Sequence, residues 1–413
     1  MDSDRIRYAD VLRNRNFSFL WVGQIISNFG DRFTYMANMA LIVFNWGGSA
    51  METGGMFIAM SLPAIVLGPI AGVFVDRYNK KKVMILCDLA RAAIVPLLIF
   101  ADSLIQVYII VFFISSISRF FYPARSAMIP SIVKREQLLV ANSLSNSTYE
   151  FSAIAGYAIG GMLVGILGVK MVFIIDSISF LVSALFILMV YFVPIKKNIT
   201  MTGNTIGRIV EELKSGVRYS YVERRVLFIL LLLGSAILAF AGINILWVIL
   251  IRDVMGMGIE GMGALESVFG GGMLIGTFVV GFIGHKYRNK RLILSGFGVS
   301  SLSLLMIGLI PLLAPVLFFA FLAGAFISFV NIPTVTVLQK VVPEDMLGRV
   351  FALLGTMTES AGVISMVAIG FLADIFPVQS LIVGLSLALL MVTIVGFMVP
   401  VELETDDVIP CEE

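Results

Sequence analysis

The chain has 413 residues, of which 59% are hydrophobic and only 14% are charged, and its formal net charge is +2. Soluble domains carry about 25% charged residues and need that polar surface to meet water. This composition therefore excludes an ordinary soluble fold. Apolar runs long enough to cross a bilayer of about 30 Å recur along the sequence, so it predicts an all-α integral membrane protein.

Twelve apolar runs, separated by charged or Gly/Pro-rich breaks, are predicted to be transmembrane helices. The charged segment MDSDRIRYADVLRNRN that precedes the first run has no apolar core and no small-residue cleavage site. We therefore expect no removable signal peptide. The two cysteines, Cys87 and Cys411, imply neither a disulfide framework nor a metal site. The predicted helices lie near 17–45, 54–75, 83–101, 105–127, 143–167, 171–194, 227–251, 263–284, 292–310, 316–337, 350–375 and 380–400.

The distribution of positive charge predicts the topology. Most of the 29 Lys and Arg residues lie in the amino terminus or in alternate connections. Such residues favour the cytoplasmic side of a membrane, so both termini are predicted to be cytoplasmic. These connections are 76–82, 128–142, 195–226, 285–291 and 338–349.

An internal repeat predicts two halves. DRYNKKKVMIL from Asp76 aligns with HKYRNKRLILS from His285, and IVKREQLLVAN from Ile132 aligns at the same offset with VVPEDMLGRVF from Val341. The long polar connection between the halves contains a predicted amphipathic helix at the membrane surface. The predicted domains are an N-terminal six-helix half (1–194), a linker (195–226), a C-terminal six-helix half (227–400) and an acidic cytoplasmic tail (401–413).

Several motifs resemble the major facilitator superfamily. GVFVDRYNKK from Gly72 is similar to the family's loop motif between helices 2 and 3. PEDMLGRV from Pro343 and NFGD from Asn28 resemble segments of its bacterial drug-exporter branch, which includes macrolide-efflux proteins. SAIAGYAIGG from Ser152 is similar to the exporters' helix 5 signature, with Ser152 in place of its first glycine and Tyr157 in place of its proline.

The resemblance implies a major facilitator fold of two pseudo-symmetric six-helix halves. It also implies a multi-pass protein of the bacterial inner (plasma) membrane. It also implies a conformational latch around the loop between helices 2 and 3. For the basic residues of that loop, positive-inside topology is an alternative role. Glycines in the helix 5 signature are predicted to allow close helix packing. The latch residues are Gly72, Asp76, Arg77, Lys81, Arg119 and Arg349, and the packing residues are Gly156, Gly160 and Gly161.

Polar residues on one face of the first helix predict a cavity lining. Asp31 lies ~21 Å along that helix at 1.5 Å per residue, and ionisable groups at such depth usually face a cavity or a partner. Asp31 is a candidate proton-coupling group, or else it forms an internal ion pair with Arg32 or Arg119. The residues that share its face at steps of three and four, and so are predicted to line the cavity, are Gln24, Asn28, Tyr35 and Asn38.

Glu150 and Glu359 occupy equivalent positions in helices 5 and 11. A carboxyl group in a low-dielectric site resists ionisation, so either residue could carry the coupled proton. Alternatively, both are structural carboxylates that bind Arg119, Arg349 or helix-end amides and hold the inward gate shut. Asp88 and Arg91, three residues apart, are predicted to form an ion pair.

Three further acidic residues, Asp176, Glu266 and Asp374, fall nearer the outer ends of their helices. We expect hydration there to make them less informative, although Glu266 could still face the cavity. His285, in a predicted cytoplasmic loop, is expected to have no role as a proton relay or ligand.

The sequence thus predicts a secondary exporter that moves hydrophobic or amphipathic, drug-like compounds by proton antiport and alternating access, with binding between the halves. No P-loop motif for ATP occurs. The expected partners are a lipophilic small molecule, protons and the bilayer, without nucleic acid, metal or cofactor, and the expected state is a monomer. A lysophospholipid or siderophore transporter is the alternative. An enzyme would need a catalytic motif, and neither HExxH nor GxSxG occurs; a passive channel would have no use for the latch.

Overall fold

The structure is a computed structural model that describes residues 8–192 and 205–403. The beginning of the predicted linker and nearly all of the acidic tail lie outside the described residues. Two predicted latch residues, Gly72 and Asp76, lie within a described helix, but their side chains are not among those described. The other side chains not described within this range are those of Pro69, Val73, 205–213, His285, Glu344 and Asp345.

Helices account for nearly all of the described chain, and no strand occurs within it. Side-chain caps explain several of the helix starts; for example, Asn14 accepts hydrogen bonds from two backbone N–H groups of the helix that begins at Arg15. The α-helices are α1 (Tyr8–Leu12), α2 (Arg15–Met39), α3 (Ala50–Arg77), α4 (Lys80–Ile94), α5 (Leu104–Ile132), α6 (Leu138–Leu167), α7 (Val169–Met189), α8 (Thr205–Val222), α9 (Arg224–Phe240), α10 (Ile243–Ile249), α11 (Ile259–Ile283), α12 (Asn289–Leu309), α13 (Leu313–Val341), α14 (Glu344–Ala373) and α15 (Val378–Met398).

Eleven segments of the described chain are long and apolar enough to span a membrane. The count is close to the predicted twelve, and the all-helical membrane fold is confirmed. Of the twelve predicted spans, the one without a counterpart is α2, which has 25 residues and so has sufficient length. Its mean hydropathy is lowered by the Gln, Asn and Asp residues of its polar face and by Arg32.

The chain forms two compact units. The first contains Met1–Met201 and Gly256–Ser267, and the second contains Thr202–Met255 and Val268–Glu413. In the first unit, α2 packs on α6 and α7, and α4 packs on α5 and α7. In the second, α12 packs on α13 and α15, while α8 and α9 pack on α14. The predicted domain boundaries themselves stay a prediction.

A backbone irregularity recurs in the two halves of the sequence. The helix that begins at Arg15 ends in a π-helical turn, Ala40–Asn45, followed by Gly47 with φ of 65°. The run that begins at Arg224 also ends in a π-helical turn, Leu250–Val254, followed by Gly256 with φ of 64°. Only glycine adopts such φ values without strain. This repeat in the backbone adds to the repeat in the sequence.

Candidate functional site: a charged cluster in the first unit

Asp31 lies beside a buried ion pair in the first unit. Asp88 and Arg91 of α4 are three residues apart, and Arg91 Nη2 donates to Asp88 Oδ1 at 2.5 Å. The expected pair is therefore present. Arg91 Nη1 also lies 3.7 Å from Asp31 Oδ2 of α2, so the cation paired with Asp31 is Arg91 rather than Arg32 or Arg119. The expected partners Arg32 and Arg119 were wrong, because the contact between Asp31 and Arg91 joins two helices and is not visible in the order of residues along the chain.

Two aromatic rings hold the Arg91 guanidinium in place. Its carbon lies 4.1 Å from the ring centroid of Phe180 on α7 and 4.8 Å from that of Phe121 on α5. Cation–π contacts of this kind contribute about 2 kcal/mol each when they are desolvated. The Arg91 and Asp88 side chains are 2% and 0% exposed, whereas that of Asp31 is 30% exposed. Asp31 is thus the accessible member of a fixed cluster.

Asp176 of α7 is buried against the same helix α2. Its side chain is hydrogen-bonded to Thr34 Oγ1 at 2.6 Å and to Ser179 Oγ at 3.0 Å. Only 1% of the residue is exposed, so the expectation that hydration at an outer helix end would surround Asp176 is wrong. Asp176 is the eighth residue of the 21-residue helix α7, and the packing of α2 on α7 covers it. A Cβ atom at Gly30 would collide with Asp176 Oδ1 and Ser179 Oγ.

Arg32 faces a different set of groups from its neighbour Asp31. Its guanidinium lies 4.8 Å from the ring centroid of Tyr149 and 5.2 Å from that of Tyr157, and its Nη1 donates to the Tyr157 hydroxyl at 2.9 Å. The rings of Tyr35 and Tyr157 are 5.2 Å apart. Glu266, in the first part of α11, interacts electrostatically with Arg32. Tyr157, which stands in place of the exporters' proline, therefore holds Arg32.

The predicted polar face of α2 is largely buried. Gln24, Asn28 and Asn38 are 2%, 6% and 3% exposed. Both polar atoms of Gln24, Asn28 Nδ2 and Asn38 Oδ1 have no hydrogen-bond partner among the described residues. A buried polar group without a partner costs about 1–3 kcal/mol, so these groups require partners such as water or a polar ligand. Tyr35, on the same face, packs against Phe57 at 6.2 Å between ring centroids.

Glu150 and Glu359 differ from the aspartates of the cluster. Both residues are exposed, and neither forms an ion pair within the described part of the chain. Arg349, the alternative partner, instead contacts Ser215 Oγ at 3.2 Å and Met346 Sδ at 3.3 Å. The proton-coupling role of both glutamates stays a prediction.

The described latch residues lie in local contacts. Lys81 Nζ donates to the carbonyl groups of Leu188 and Val190 at 2.8 Å each, where α7 ends, and a cation is favourable at a helix C-terminus. Arg77 is exposed. Arg119 Nε is buried and has no hydrogen-bond partner among the described residues. The latch stays a prediction.

Glycines of α6 lie at close helix contacts. A Cβ atom at Gly156 would lie 2.8 Å from Arg32 Cβ, and one at Gly160 would lie 3.2 Å from Met36 Cγ, both on α2. A Cβ atom at Gly161 would lie 3.1 Å from the Ile259 carbonyl oxygen and 3.3 Å from the Gly263 Cα, both on α11. A side chain at Gly156 would force a shift of Arg32, and one at Gly160 or Gly161 would fit only if its neighbours moved by a few tenths of an ångström.

The contact between α2 and α7 at Asp176 has a partial signal in the sequence, namely the spacing of polar residues on each helix. Thr34 lies three residues after Asp31, so both face the same direction from α2. Asp176, Ser179 and Ser183 recur along α7 at steps of three and four among apolar residues, which indicates a polar face inside the protein. Which face of α2 this stripe meets could be decided only by the packing.

Comparison with known proteins identifies the family. A sequence model described as "Major Facilitator Superfamily" matches residues 20–366 and 229–408. The chain belongs to the Major Facilitator Superfamily. It is 28% identical over 370 residues to macrolide efflux protein A of Streptococcus pyogenes, covering 87% of this chain and 89% of the relative. It is 24% identical to the multidrug efflux pump Tap of Mycolicibacterium fortuitum over 88% of this chain and 91% of the pump.

Among solved structures, the nucleoside transporter NupG is similar, with a TM-score of 0.72 at 12% identity over 93% of this chain and 98% of NupG. At that identity, the similarity supports the fold alone. The expected family and the expected non-enzymatic transporter are confirmed. The chain is a multi-pass membrane transporter related to efflux proteins.

Proposed function

We propose that this Major Facilitator Superfamily transporter exports hydrophobic or amphipathic compounds in exchange for protons. The observation that carries the proposal is the position of Asp31, whose side chain is 30% exposed while its partner Arg91 is only 2% exposed. Asp31 can therefore exchange a proton with its surroundings, whereas the Asp88–Arg91 pair is enclosed. Relatives named as a macrolide efflux protein and a multidrug efflux pump support the direction of transport and the substrate class.

In the proposed cycle, Asp31 alternates between an ionised and a protonated state. When it is ionised, it is attracted to Arg91 at 3.7 Å; when it is protonated, that attraction is lost, and the α2 side chain can move away from α4. A carboxyl group of this kind couples a proton to a helix position because protonation changes an interhelical contact. The unpartnered polar atoms of Gln24 and Asn28 on the same helix face supply sites for water or for a polar substrate group.

Proton antiport can be tested with purified protein in proteoliposomes. Uptake of tetraphenylphosphonium and of a macrolide should depend on an imposed pH gradient in the wild type. We expect Asp31→Asn to abolish gradient-driven uptake, while the matched control Asp102→Asn, at an exposed residue outside α4 and α5, should retain it. Glu150→Gln, with Glu136→Gln as its exposed control, tests the alternative coupling group. Transport by the wild type that ignores the gradient would refute antiport.

We also propose that the protein is a monomer in the bacterial inner membrane with both termini in the cytoplasm. The positive charge of alternate connections supports this orientation. Labelling of single cysteines introduced at an exposed position in each predicted cytoplasmic connection, in sealed inverted vesicles and in whole cells, would test it. Labelling from outside intact cells would contradict the assignment.

A further inference from the structure

Asp176 is a buried carboxyl group that the mechanism above does not use. It lies on α7, 1% exposed, and its hydrogen bonds involve the neutral hydroxyl groups of Thr34 and Ser179. Within the described chain, no cationic side chain lies at ion-pair distance from it. An ionised carboxylate in such a place would be buried without a countercharge, which is strongly unfavourable.

The surrounding charges do not balance either. Arg91 is the cation of the cluster, and Asp88 contacts it at 2.5 Å while Asp31 lies 3.7 Å away. Arg32, the next guanidinium, is held by Tyr149 and Tyr157 and interacts with Glu266. If every group were ionised, the four carboxylates of Asp31, Asp88, Asp176 and Glu266 would outnumber the three guanidinium groups of Arg91, Arg32 and Arg125. Arg125 is the most remote of the three and lies 5.6 Å from the ring centroid of Tyr122.

The charged groups facing Asp176 come from two helices. Asp31 lies between two residues of α2 that approach Asp176: a Cβ atom at Gly30 would collide with Asp176 Oδ1, and Thr34 Oγ1 donates to Asp176 Oδ2 at 2.6 Å. Arg91 of α4 contacts Asp31 and Asp88 but lies beyond ion-pair distance from Asp176. α6 also packs on α7, but it contributes no charged contact to Asp176 among the described residues. Asp88 is engaged by Arg91 at 2.5 Å. The group best able to alternate with Asp176 is therefore Asp31.

We infer that Asp176 holds a proton and exchanges it with Asp31 during the transport cycle. This inference rests on the proposed proton antiport. In the exchange, the O–H bond of Asp176 breaks and leaves its electron pair on the Asp176 carboxylate. A new O–H bond forms on the Asp31 carboxylate, directly or through a water molecule. The total charge of the pair is unchanged, and the proton moves between an enclosed carboxyl group and an accessible one. Asp31 then exchanges the proton with the solution.

Infrared difference spectroscopy of the full-length protein in liposomes can test the protonation directly. We expect a carbonyl stretching band of a protonated carboxyl group that disappears in Asp176→Asn and persists in the exposed control Asp102→Asn. Thr34→Val should shift the frequency of the same band, because it removes a hydrogen-bond partner at 2.6 Å. Addition of tetraphenylphosphonium to the wild type should change the band intensity. Gradient-driven uptake by Asp176→Asn should fall on the order of tenfold or more.

Two results would overturn the inference. One is the absence of any carboxyl band that depends on Asp176. The other is a band whose intensity does not change when tetraphenylphosphonium is added, together with normal gradient-driven uptake by Asp176→Asn. In that case the proton on Asp176 would be purely structural. A size-exclusion profile of each variant shows whether it is folded, so that these results can be distinguished from misfolding. Thr34→Val serves as a second variant that keeps the Asp176 carboxyl group. Gradient-independent transport by the wild type would instead refute the antiport itself and the exchange with it.

Discussion

Replacement of Arg91 by methionine tests the central geometry of the site. The change removes the cation from Asp88 at 2.5 Å and from Asp31 at 3.7 Å, while the apolar part of methionine can still pack between Phe121 and Phe180. Breaking a buried ion pair at one partner costs about 3–5 kcal/mol because the other charge stays buried and uncompensated. Asp31 adds less to this cost, since its side chain is 30% exposed and can be hydrated.

A double-mutant cycle between Asp88 and Arg91 measures how strongly the two side chains stabilise each other. Asp88→Asn combined with Arg91→Met removes both charges, so we expect the double variant to recover at least about 2 kcal/mol relative to Arg91→Met. Arg91→Lys keeps the charge but loses the planar fork, and its stability should lie between those of the wild type and Arg91→Met. The assay is reversible unfolding in mixed detergent–SDS micelles, followed by circular dichroism.

Two outcomes would refute this reasoning. Arg91→Met could be within about 1 kcal/mol of the wild type, well below the range for a broken buried pair, which would mean that Asp88 is neutral or hydrated. Alternatively, the double variant could be no more stable than Arg91→Met, which would mean that the two side chains are not coupled. Either outcome would remove the fixed partner that the model of Asp31 protonation requires.

Two further predictions concern close contacts. Gly30→Ala should destabilise the first unit by about 1–3 kcal/mol and reduce transport, because its Cβ would collide with Asp176 Oδ1. The control is Gly165→Ala, which should be neutral or stabilising in the same unfolding assay, because a Cβ atom there meets no other atom within 4 Å. Equal stability of the two variants would contradict this packing. Tyr157→Phe keeps the ring beside Arg32 but loses the hydrogen bond at 2.9 Å, so we expect a loss of about 1.5–3 kcal/mol, and unchanged unfolding would show that the ring alone holds Arg32.

The family and the all-helical membrane fold could both be predicted from the sequence, because both depend on patterns of residues that are close together in the chain. Apolar runs of sufficient length must be helical in a bilayer, since every backbone polar group has to be satisfied within the segment. The Asp88–Arg91 pair was likewise predictable, because residues three apart on a helix are neighbours. The polar face of α2 followed from the helical period alone.

Contacts between helices could not be deduced in the same way. Arg91 contacts Asp31 because α4 and α2 both pack on α7, and no periodicity in either segment specifies that arrangement. Asp176 was taken to be a hydrated residue near a helix end, whereas α2 covers it and Gly30 leaves room for its carboxyl group. Tyr157 looked like a departure from a family signature, but in the structure it is the hydrogen-bond partner of Arg32.

The sequence by itself determined that this chain spans a membrane and contains an internal repeat, and its motifs resemble those of a transporter family. Those properties depend on composition, on periods of a few residues and on motifs contiguous in the chain. Only the tertiary structure decided that Asp31 and Asp88 share the Arg91 cation and that Asp176 has no cation at ion-pair distance among the described residues. Ion pairing and burial depend on distances between residues far apart in sequence, and those distances are fixed by helix packing.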